Sequence, residues 1–362
     1  MKDIRMILPN MASDTAGAAS ALFAMDGLTI IHDAAGSMES FITFDEARDL
    51  EGKRTVASRL SRLEAVTGDD GILLDKIAEE CAAAPPPFVA VIGSPIPFTI
   101  GTDLEGIAAE AEFRTGAPAF AVTAGGFGTY DKGVGEALKK MIEKTTAAPE
   151  PHEGTIVNLL GATPMDYSPA EIEGIRRQLL AESVTCVRTL SMADGMEEVL
   201  HAAEADHNLV ISVAGLPAAR YMRQKYGIPY TIGVPIAGEV DAGAAPEGRS
   251  VLILGEAVLS RQLAQLLQKA GVAVVAGITA QDDPEIFPQV PTIRLDTESG
   301  IRAELKKDYF AVVGDPLYKL LLPGGSETKF VERPHRALSG RLYPPVSNTL
   351  DQLLTELKEV FT

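Results

Sequence analysis

Cysteine is scarce in this sequence, which has only Cys81 and Cys186 among its 362 residues. The two form no C-x-x-C pair, so this chain alone can supply neither a cysteine-paired zinc site nor a cluster held entirely by cysteines. Cys81 ends an apparent helix in IAEECAAA, and Cys186 lies in an apparent buried strand, SVTCVRTL. Both are therefore interpreted as small core residues.

Basic residues are also few relative to acidic ones. Lysine and arginine number 32 against 50 aspartates and glutamates, which leaves a formal net charge of -18. This charge argues against nucleic acid or an anionic membrane surface as the main partner. The sequence has no apolar run of membrane-spanning length, and its start, MKDIRMILPNMASDTAG, lacks the apolar core of a secretion signal. The expected location is the cytoplasm.

Several sequence motifs of known chemistry are missing. Neither the P-loop pattern G-x-x-x-x-G-K-[ST] nor the hydrolase elbow G-x-S-x-G occurs, so a P-loop nucleotidase is excluded and nothing points to a serine hydrolase. The glycines at 125–128 and the single Gly255 lack the spacing of a dinucleotide fingerprint. Among the five histidines, His32 ends a strand and His335 lies among arginines that discourage a metal cation. The sequence predicts no metal ligand, and the catalytic residues stay unknown.

What the sequence does have is a regular alternation of strand and helix patterns. Repeated strand–helix–strand units predict an α/β fold of parallel sheets with helices on both faces. A short loop is expected after Ser94, with the next helix starting near Asp103. The expected strands lie at 28–32, 88–92, 119–123, 155–160, 184–190, 208–213, 272–278 and 309–313, and the expected helices at 56–66, 72–83, 104–112, 132–144, 170–182, 196–205 and 259–270.

Two segments interrupt this alternation. TTAAPEPHEGT at 145–155 and GEVDAGAAPEG at 238–248 have the composition of linkers or breaks. The predicted domains are a first α/β unit at 1–149, a second at 150–242, a third at 243–346 and a C-terminal helix at 347–362.

Several short stretches carry a resemblance to a known family. SDTAG at 13–17 stands where that family has C-x-x-A-G, and HDAAGS at 32–37 stands where it has H-G-P-x-G-C. Ser94 takes the place of a strand-ending cysteine, and IGTD at 100–103 matches the I-G-x-D that follows. Later in the chain, YGIPY and GRSVLILG match the family's further unit openings.

On these residues the chain resembles the nitrogenase component 1 family. That family includes the nitrogenase molybdenum–iron protein subunits, their cofactor-assembly relatives, and the dark-operative protochlorophyllide and chlorophyllide reductases. The resemblance covers nearly the whole chain and implies three Rossmann-like parallel-sheet units around a central cleft. It also implies an oxidoreductase subunit that works with a sister subunit, or with a second copy of itself, and with an ATP-dependent iron-protein reductase.

The resemblance also locates a cofactor site that has changed. In relatives, three cysteines at these turns hold an iron–sulfur cluster between two subunits, whereas this chain has Ser13, Ser37 and Ser94. Such clusters prefer soft thiolate ligands, and a serine hydroxyl is hard and holds its proton tightly. The expectation is that this chain binds no cluster alone, and that one is possible only with a partner subunit. The plainer interpretation is that these serines cap the helices that follow them.

The expected binding residues combine these positions with the strand-end turns that line the implied cleft. Helix N-termini facing such a cleft favour carboxylates or phosphates. Two other functions stay open, namely a cluster-free binding or scaffold protein and an unrelated doubly wound enzyme such as a nucleotide-sugar transferase. The residues of the expected site are Ser13, His32, Ser37, Ser94, Gly125, Gly126, Thr163, Ser212 and Gly215.

Overall fold

Three parallel sheets follow one another along the described part of the chain in the computed structural model of the protein. Every strand pairing in them is parallel. The α/β fold class predicted from the alternating sequence is therefore confirmed. The structure describes residues 6–34, 36, 41, 45, 46, 48, 51–192, 195–236, 250–343 and 350–361.

The first sheet has the strand order β2-β1-β3-β4. Its central strand carries VAVI, four residues that are all buried, because helices cover both faces of a parallel sheet. The strands are β1 Leu28–Ile31, β2 Thr55–Ala57, β3 Val89–Ile92 and β4 Ala119–Val122, and the helices are α1 Asp14–Leu22, α2 Arg62–Thr67, α3 Gly71–Ala83, α4 Pro95–Ile100, α5 Leu104–Thr115 and α6 Tyr130–Thr145.

The second sheet repeats this order as β6-β5-β7-β8. Its five-residue strand IVNLL is buried throughout, and it pairs with a neighbour on each side. The strands are β5 Ile156–Leu160, β6 Cys186–Thr189, β7 His207–Val210 and β8 Tyr230–Ile232, and the α-helices are α7 Pro169–Ala181, α8 Met196–Leu200 and α9 Leu216–Tyr226, with short 3-10 turns at Ala202–Glu204 and Val213–Gly215.

The third sheet has five strands in the order β11-β10-β9-β12-β13. Its strands are β9 Ser250–Gly255, β10 Ala273–Ile278, β11 Thr292–Arg294, β12 Tyr309–Gly314 and β13 Lys329–Glu332. The helices are α10 Ala257–Lys269, α11 Glu298–Glu304, α12 Arg336–Ser339 and the C-terminal α13 Leu350–Phe361, and a 3-10 turn spans Pro316–Leu321. One continuous apolar core contains residues of all three sheets, so the units pack against one another.

Two local sequence predictions were wrong around the first sheet. The segment 56–66 is not one helix, because Val56 pairs with Ile30 at the sheet edge and a helix starts only after Ser61. Ser61 and Glu64 form a reciprocal capping box that sets that start. The loop expected after Ser94 is a helical turn with proline at its first position, where proline has no N–H to lose.

Helices α1 and α6 touch backbone to backbone through two glycines. A Cβ built on Gly17 would lie 2.0 Å from the carbonyl oxygen of Tyr130, and one built on Gly133 would lie 1.7 Å from that of Asp14. No real side chain tolerates such distances, so only glycine permits this crossing. The crossing sets where Ser13, at the start of α1, and Tyr130, at the start of α6, lie in the fold.

Glu298 at the start of α11 anchors the first described residues of the chain. Its Oε2 accepts hydrogen bonds of 2.9 Å from the backbone N–H groups of Met6, Ile7 and Leu8, and Arg302 donates to its Oε1 at 2.8 Å. Burial works in the opposite direction, but these donors lower the pKa of Glu298 to about 2. The charged carboxylate therefore stabilises the folded state.

Glu298→Gln is expected to lower the free energy of unfolding by about 2 kcal/mol at neutral pH, since charge-assisted hydrogen bonds are lost. The folded pKa lies below the ordinary glutamate value, so this stabilisation is complete above that value and disappears as the pH falls towards 2. Urea unfolding at several pH values should show the two proteins converging in acid. Glu105→Gln, which breaks an exposed ion pair with Lys140, serves as the control with little effect. An equal effect of the two substitutions at neutral pH would contradict the prediction.

Candidate functional site

In each sheet the strand order reverses between two neighbouring strands, and ligands of open α/β sheets bind at the carboxyl ends of such strands. The reversal lies between β1 and β3 in the first sheet and between β5 and β7 in the second. His32 and Ser94 end the first pair of strands, and Gly161 and Ser212 end the second. Four residues near the expected site thus occupy equivalent places in two units.

Ser94 fastens the ends of β1 and β3 together. It is 1% exposed, and its Oγ donates a hydrogen bond of 2.8 Å to the carbonyl oxygen of His32. The residue stands before α4 in an extended conformation, with φ -147° and ψ 177°, but its side chain makes no capping bond to that helix. The single hydroxyl proton of Ser94 is therefore used between the strands.

Ser212 does the same in the second sheet. It is fully buried, and its Oγ donates a 2.8 Å hydrogen bond to the carbonyl oxygen of Gly161. Its backbone, at φ -142° and ψ 160°, closely matches that of Ser94. Gly161 has φ +87°, and a Cβ there would lie 2.3 Å from the Ser212 hydroxyl, so glycine is required. The first and second units therefore join their central strands by the same kind of bond, from a serine hydroxyl to a backbone carbonyl oxygen.

Of the other two serine positions, the structure describes Ser13 but not Ser37. Ser13 is the N-cap of α1, and its Oγ accepts a 3.2 Å hydrogen bond from the backbone N–H of Ala16. Its backbone also forms an isolated antiparallel bridge with Thr129. Ser37 lies outside the described residues. Ser13 and Ser94 therefore both make hydrogen bonds within the first unit.

The described donors do not fit a cluster held by thiolates. Ser13 and Ser94 present hydroxyl oxygens, which are harder and less readily ionised than cysteine sulfur. Cys81 belongs to α3 and points into the core, where burial raises the pKa of its thiol. Cys186 starts β6 in the second sheet. Among the residues that the structure describes, there is also no group of three histidine, cysteine or acidic side chains that could hold a metal ion.

His32 is a buried histidine beside Ser94. Its Nδ1 lies 2.9 Å from the Oγ of Ser58, and its Nε2 is enclosed without a hydrogen-bond partner. Burial lowers the pKa of His32, although the negative charges of Asp70, Asp33 and Glu64 act in the opposite direction. The imidazole is therefore neutral at physiological pH.

An apolar surface lies next to Ser94, which we call the apolar edge patch. Phe98 is 59% exposed and Phe127 is 73% exposed, with their rings edge to face at 5.9 Å. Ile96 and Ile100 from the same helical turn are also exposed. Large apolar side chains grouped in this way commonly mark a surface that another molecule covers.

Gly125 and Gly126 shape this patch. A Cβ on Gly125 would lie 3.1 Å from the Phe98 ring, and one on Gly126 would lie 2.5 Å from the Pro95 ring. Gly126 also has φ +71°, a backbone conformation that glycine adopts without strain. The backbone N–H of Gly125 donates to Asp14 at 3.2 Å. Both glycines let the turn after β4 lie flat on α4.

Ser212 and Gly215 both lie beside Gly161, and Thr163, Ser212 and Gly215 are all buried. A cavity of about 30 Å³ lies between the second and third units, lined by other residues that include Asp166, Glu256 and His335. That space is about what one water molecule requires.

The helix end that faces this cavity is already capped by a carboxyl group of the chain itself. The Oε2 of Glu256 accepts hydrogen bonds from the backbone N–H groups of Val258 and Leu259, at 2.9 and 3.1 Å. These are the first-turn donors of α10, which were expected to favour a carboxylate or phosphate ligand. Glu256 occupies that position from within the chain.

Two residues of this region were missed by the sequence analysis. Tyr130 and Asp166 meet His335 in one buried polar cluster, although 205 residues separate Tyr130 from His335. An aspartate in the strand-end turn GATPMDYSP was the only available signal, since such turns often carry functional side chains. Its partners come from other units and could be identified only in the fold.

Three sheets with strand reversals of the doubly wound type define a protein of repeated Rossmann-like units. Within that class, the family model of the Nitrogenase component 1 type Oxidoreductase matches residues 13–240. This match spans more than half of the chain, and the chain belongs to that family.

Solved structures agree with this fold. The structure of nitrogenase Cp1 at pH 6.5 superposes with a TM-score of 0.75 at 13% identity, covering 100% of this chain and 94% of that chain. Nitrogenase Cp1 at pH 5 gives a TM-score of 0.70 at 15% identity, with coverage of 100% and 89%. These identities are low, so the likeness establishes the three-unit architecture alone. A comparison with curated proteins finds no match.

Within the described residues, none of the helices combines the length and apolar character needed to cross a membrane.

Proposed function

We propose that this chain is a component 1 type subunit of a nitrogenase-like reductase and binds no iron–sulfur cluster by itself. In this proposal a sister subunit brings the redox metal, and an ATP-dependent iron-protein reductase delivers electrons. The observation that carries it is Ser94, whose hydroxyl stands at the position implied for a cluster thiolate and is already bonded to the His32 carbonyl.

The chemistry of the hydroxyl supports the absence of a cluster. To bind iron, Ser94 would have to give up a tightly held proton inside a site where it is 1% exposed. Burial disfavours the charged form of such a group, which makes that ionisation still harder. Ligation would also break the bond that joins β1 to β3. A cysteine thiol loses its proton more readily than a serine hydroxyl does, and a thiolate would not join β1 to β3 by donating a hydrogen bond.

The apolar edge patch supports a partner subunit beside Ser94. Phe98 and Phe127 are aromatic side chains on the surface, the type that is enriched in protein interfaces. Because the patch adjoins Ser94, a sister subunit seated there could bring its metal next to this chain. A second copy of the chain is the alternative occupant.

In this proposal the reductase is a separate protein, since the P-loop pattern for ATP hydrolysis does not occur in these 362 residues. We propose that the complex works in the cytoplasm and contacts neither membrane nor nucleic acid. The net charge of -18 supports the last point.

Metal analysis tests the proposal directly. The chain purified alone without oxygen, and then offered ferrous iron and sulfide, is expected to hold less than stoichiometric amounts of either. A cysteine-bearing family member treated in parallel is the positive control. Copies of the chain isolated from native cells should carry iron only together with another subunit. A brown, iron-loaded protein composed of this chain alone would refute the proposal.

A cluster-free small-molecule binding protein is the second candidate function. A groove of about 330 Å³ favours it, since that volume falls within the usual size of ligand pockets. Its walls include the apolar Leu28, Val56 and Ile77 and the basic Lys53 and Lys76. Native mass spectrometry of freshly purified protein would show a retained small molecule if this function holds, and a metal-bearing partner would then be absent.

A further inference from the structure

A groove opens on the first sheet where its edge strand passes the helix that covers the sheet. Strand β2 is that edge strand, and Val56 in it pairs with Ile30 of β1. Paired residues of neighbouring strands face the same side of a sheet. On this side Ile30 packs in a core cluster with side chains of α3 and is 2% exposed, whereas Val56 is 43% exposed. The groove of about 330 Å³ therefore leaves apolar strand surface open to solvent beside a helix.

Helix α3 supplies one wall of the groove with a single stripe of side chains. The residues of this stripe line the groove and follow the i, i+3, i+4, i+7 spacing of one helix face, namely Leu73, Lys76, Ile77 and Glu80. Leu73 and Ile77 are buried, whereas Lys76 and Glu80 are exposed. The wall is thus apolar at its base and charged at its rim, which is the cross-section that an amphiphilic molecule fits.

Basic side chains gather at this groove, although the chain as a whole has a formal net charge of -18. The charged residues of the lining are Lys53, Arg54, Lys76, Glu79 and Glu80. Three cations against two carboxylates leave one positive charge. The groove therefore favours a ligand with a single negative charge more than the acidic remainder of the surface does.

Two of the three cations are already used within the protein. Lys53 has a carboxylate partner at 2.9 Å. Arg54 donates to the backbone oxygens of Ala84 and Glu80, at 2.6 and 3.1 Å, and so satisfies carbonyl groups at the end of α3. Lys76 forms no ion pair with any residue that the structure describes. Its ammonium group is the charge that remains for a ligand.

We propose that this groove binds an acyl chain that carries one carboxylate, with the chain on the apolar floor and the carboxylate at Lys76. From Arg54 to Ser58 the floor runs roughly 13 Å along β2, which suits a chain of medium length. Burial of the chain drives binding, and a charge-assisted hydrogen bond to Lys76 fixes the head group. A ligand with several phosphates is disfavoured, because Glu79 and Glu80 line the same groove.

This inference rests on the second candidate function, since it names the ligand class for the same groove, and it does not depend on the proposal about the iron–sulfur cluster. The two can fail separately. A small molecule of another class retained in the groove would overturn the inference and leave the candidate function standing. Acyl carboxylate binding by a chain that is isolated together with a metal-bearing partner would support the inference and count against the candidate function.

Calorimetric titration of the purified chain with decanoate, below its micelle concentration, tests the inference. One molecule per chain is expected, with a dissociation constant of roughly 10–100 μM. Decanol has the same chain without the charge and should bind about tenfold more weakly, and butyrate should not bind measurably, because head group and chain both contribute. Absence of decanoate binding, uptake without saturation, or equal affinities for decanoate and decanol would overturn the inference.

A pair of lysine variants locates the head group. Lys76→Gln should weaken decanoate binding about tenfold and leave decanol binding unchanged, since only the contact with the carboxylate is lost. Lys225→Gln makes the same change of charge at an exposed position of α9 in the second unit and should alter neither affinity. Equal weakening by the two substitutions would mean that overall charge attracts decanoate, and it would overturn the site.

Val56→Glu tests the apolar floor. It places a carboxylate where the acyl chain is expected to lie, so decanoate and decanol should both lose measurable binding. Leu320→Glu, at an exposed apolar residue of the third unit, is the control that should leave both affinities unchanged. Undiminished binding in Val56→Glu would overturn the inference. If Val56→Glu does not fold, the two lysine variants decide.

Discussion

Gly133→Ala is expected to destabilise the fold by about 3 kcal/mol or more, which is at the upper end of overpacking costs. The new methyl group would lie 1.7 Å from the backbone oxygen of Asp14, and backbone atoms cannot rotate away as a side chain can. Helices α1 and α6 would have to separate, and both are buried in the shared core. Urea unfolding measured by circular dichroism gives the change in free energy.

Gly174→Ala is the matched control for this prediction. Gly174 lies inside α7, and a Cβ there meets nothing within 4 Å. Alanine is the better helix former, so this substitution should stabilise the protein by about 0.5–1 kcal/mol. If both substitutions had the same sign, the close helix crossing would not be what requires glycine at position 133.

Phe98→Glu should weaken binding of the partner subunit by about 100-fold or more, as expected for an aromatic residue at the centre of an interface. Phe98 is 59% exposed and packs edge to face on Phe127 in the apolar edge patch. A buried, unpaired carboxylate would replace an apolar contact in the assembled state. Co-purification from native cells, followed by quantitative mass spectrometry, measures the loss of a sister subunit. Sedimentation of the isolated chain measures the loss of self-association.

Phe113→Glu supplies the control for this surface. Phe113 is 84% exposed but lies near the far end of α5, away from Ser94. Its substitution should leave assembly unchanged, and neither variant should alter the free energy of unfolding of the isolated chain by more than about 0.5 kcal/mol. Equal loss of assembly in both variants would mean that the apolar edge patch is not the docking surface.

The serines at the strand ends explain how the fold persists without thiolates. Ser94 and Ser212 use the same bond, of 2.8 Å, to join the two central strands of their sheets. A hydroxyl suits this duty because it is a strong donor and small enough to be buried, whereas a thiol is a weak donor. The turn at Ser94 is thus held by a hydrogen bond between the ends of β1 and β3.

The sequence alone was sufficient for the α/β class, the parallel sheets and the family. These properties follow from local periodicity, from turn residues and from the order of short motifs, all of which can be read along the chain. The central strands were predicted to within a few residues, because runs such as VAVI and IVNLL are buried on both faces wherever the fold places them.

Contacts between distant segments were decided only by the tertiary structure. Strand β2 was missed because its three residues become a strand by pairing with β1, and an amphipathic pattern could not show that. The cluster of Tyr130, Asp166 and His335 joins residues up to 205 positions apart. Their meeting depends on how three units pack, and packing is a property of shape in three dimensions that no local pattern records.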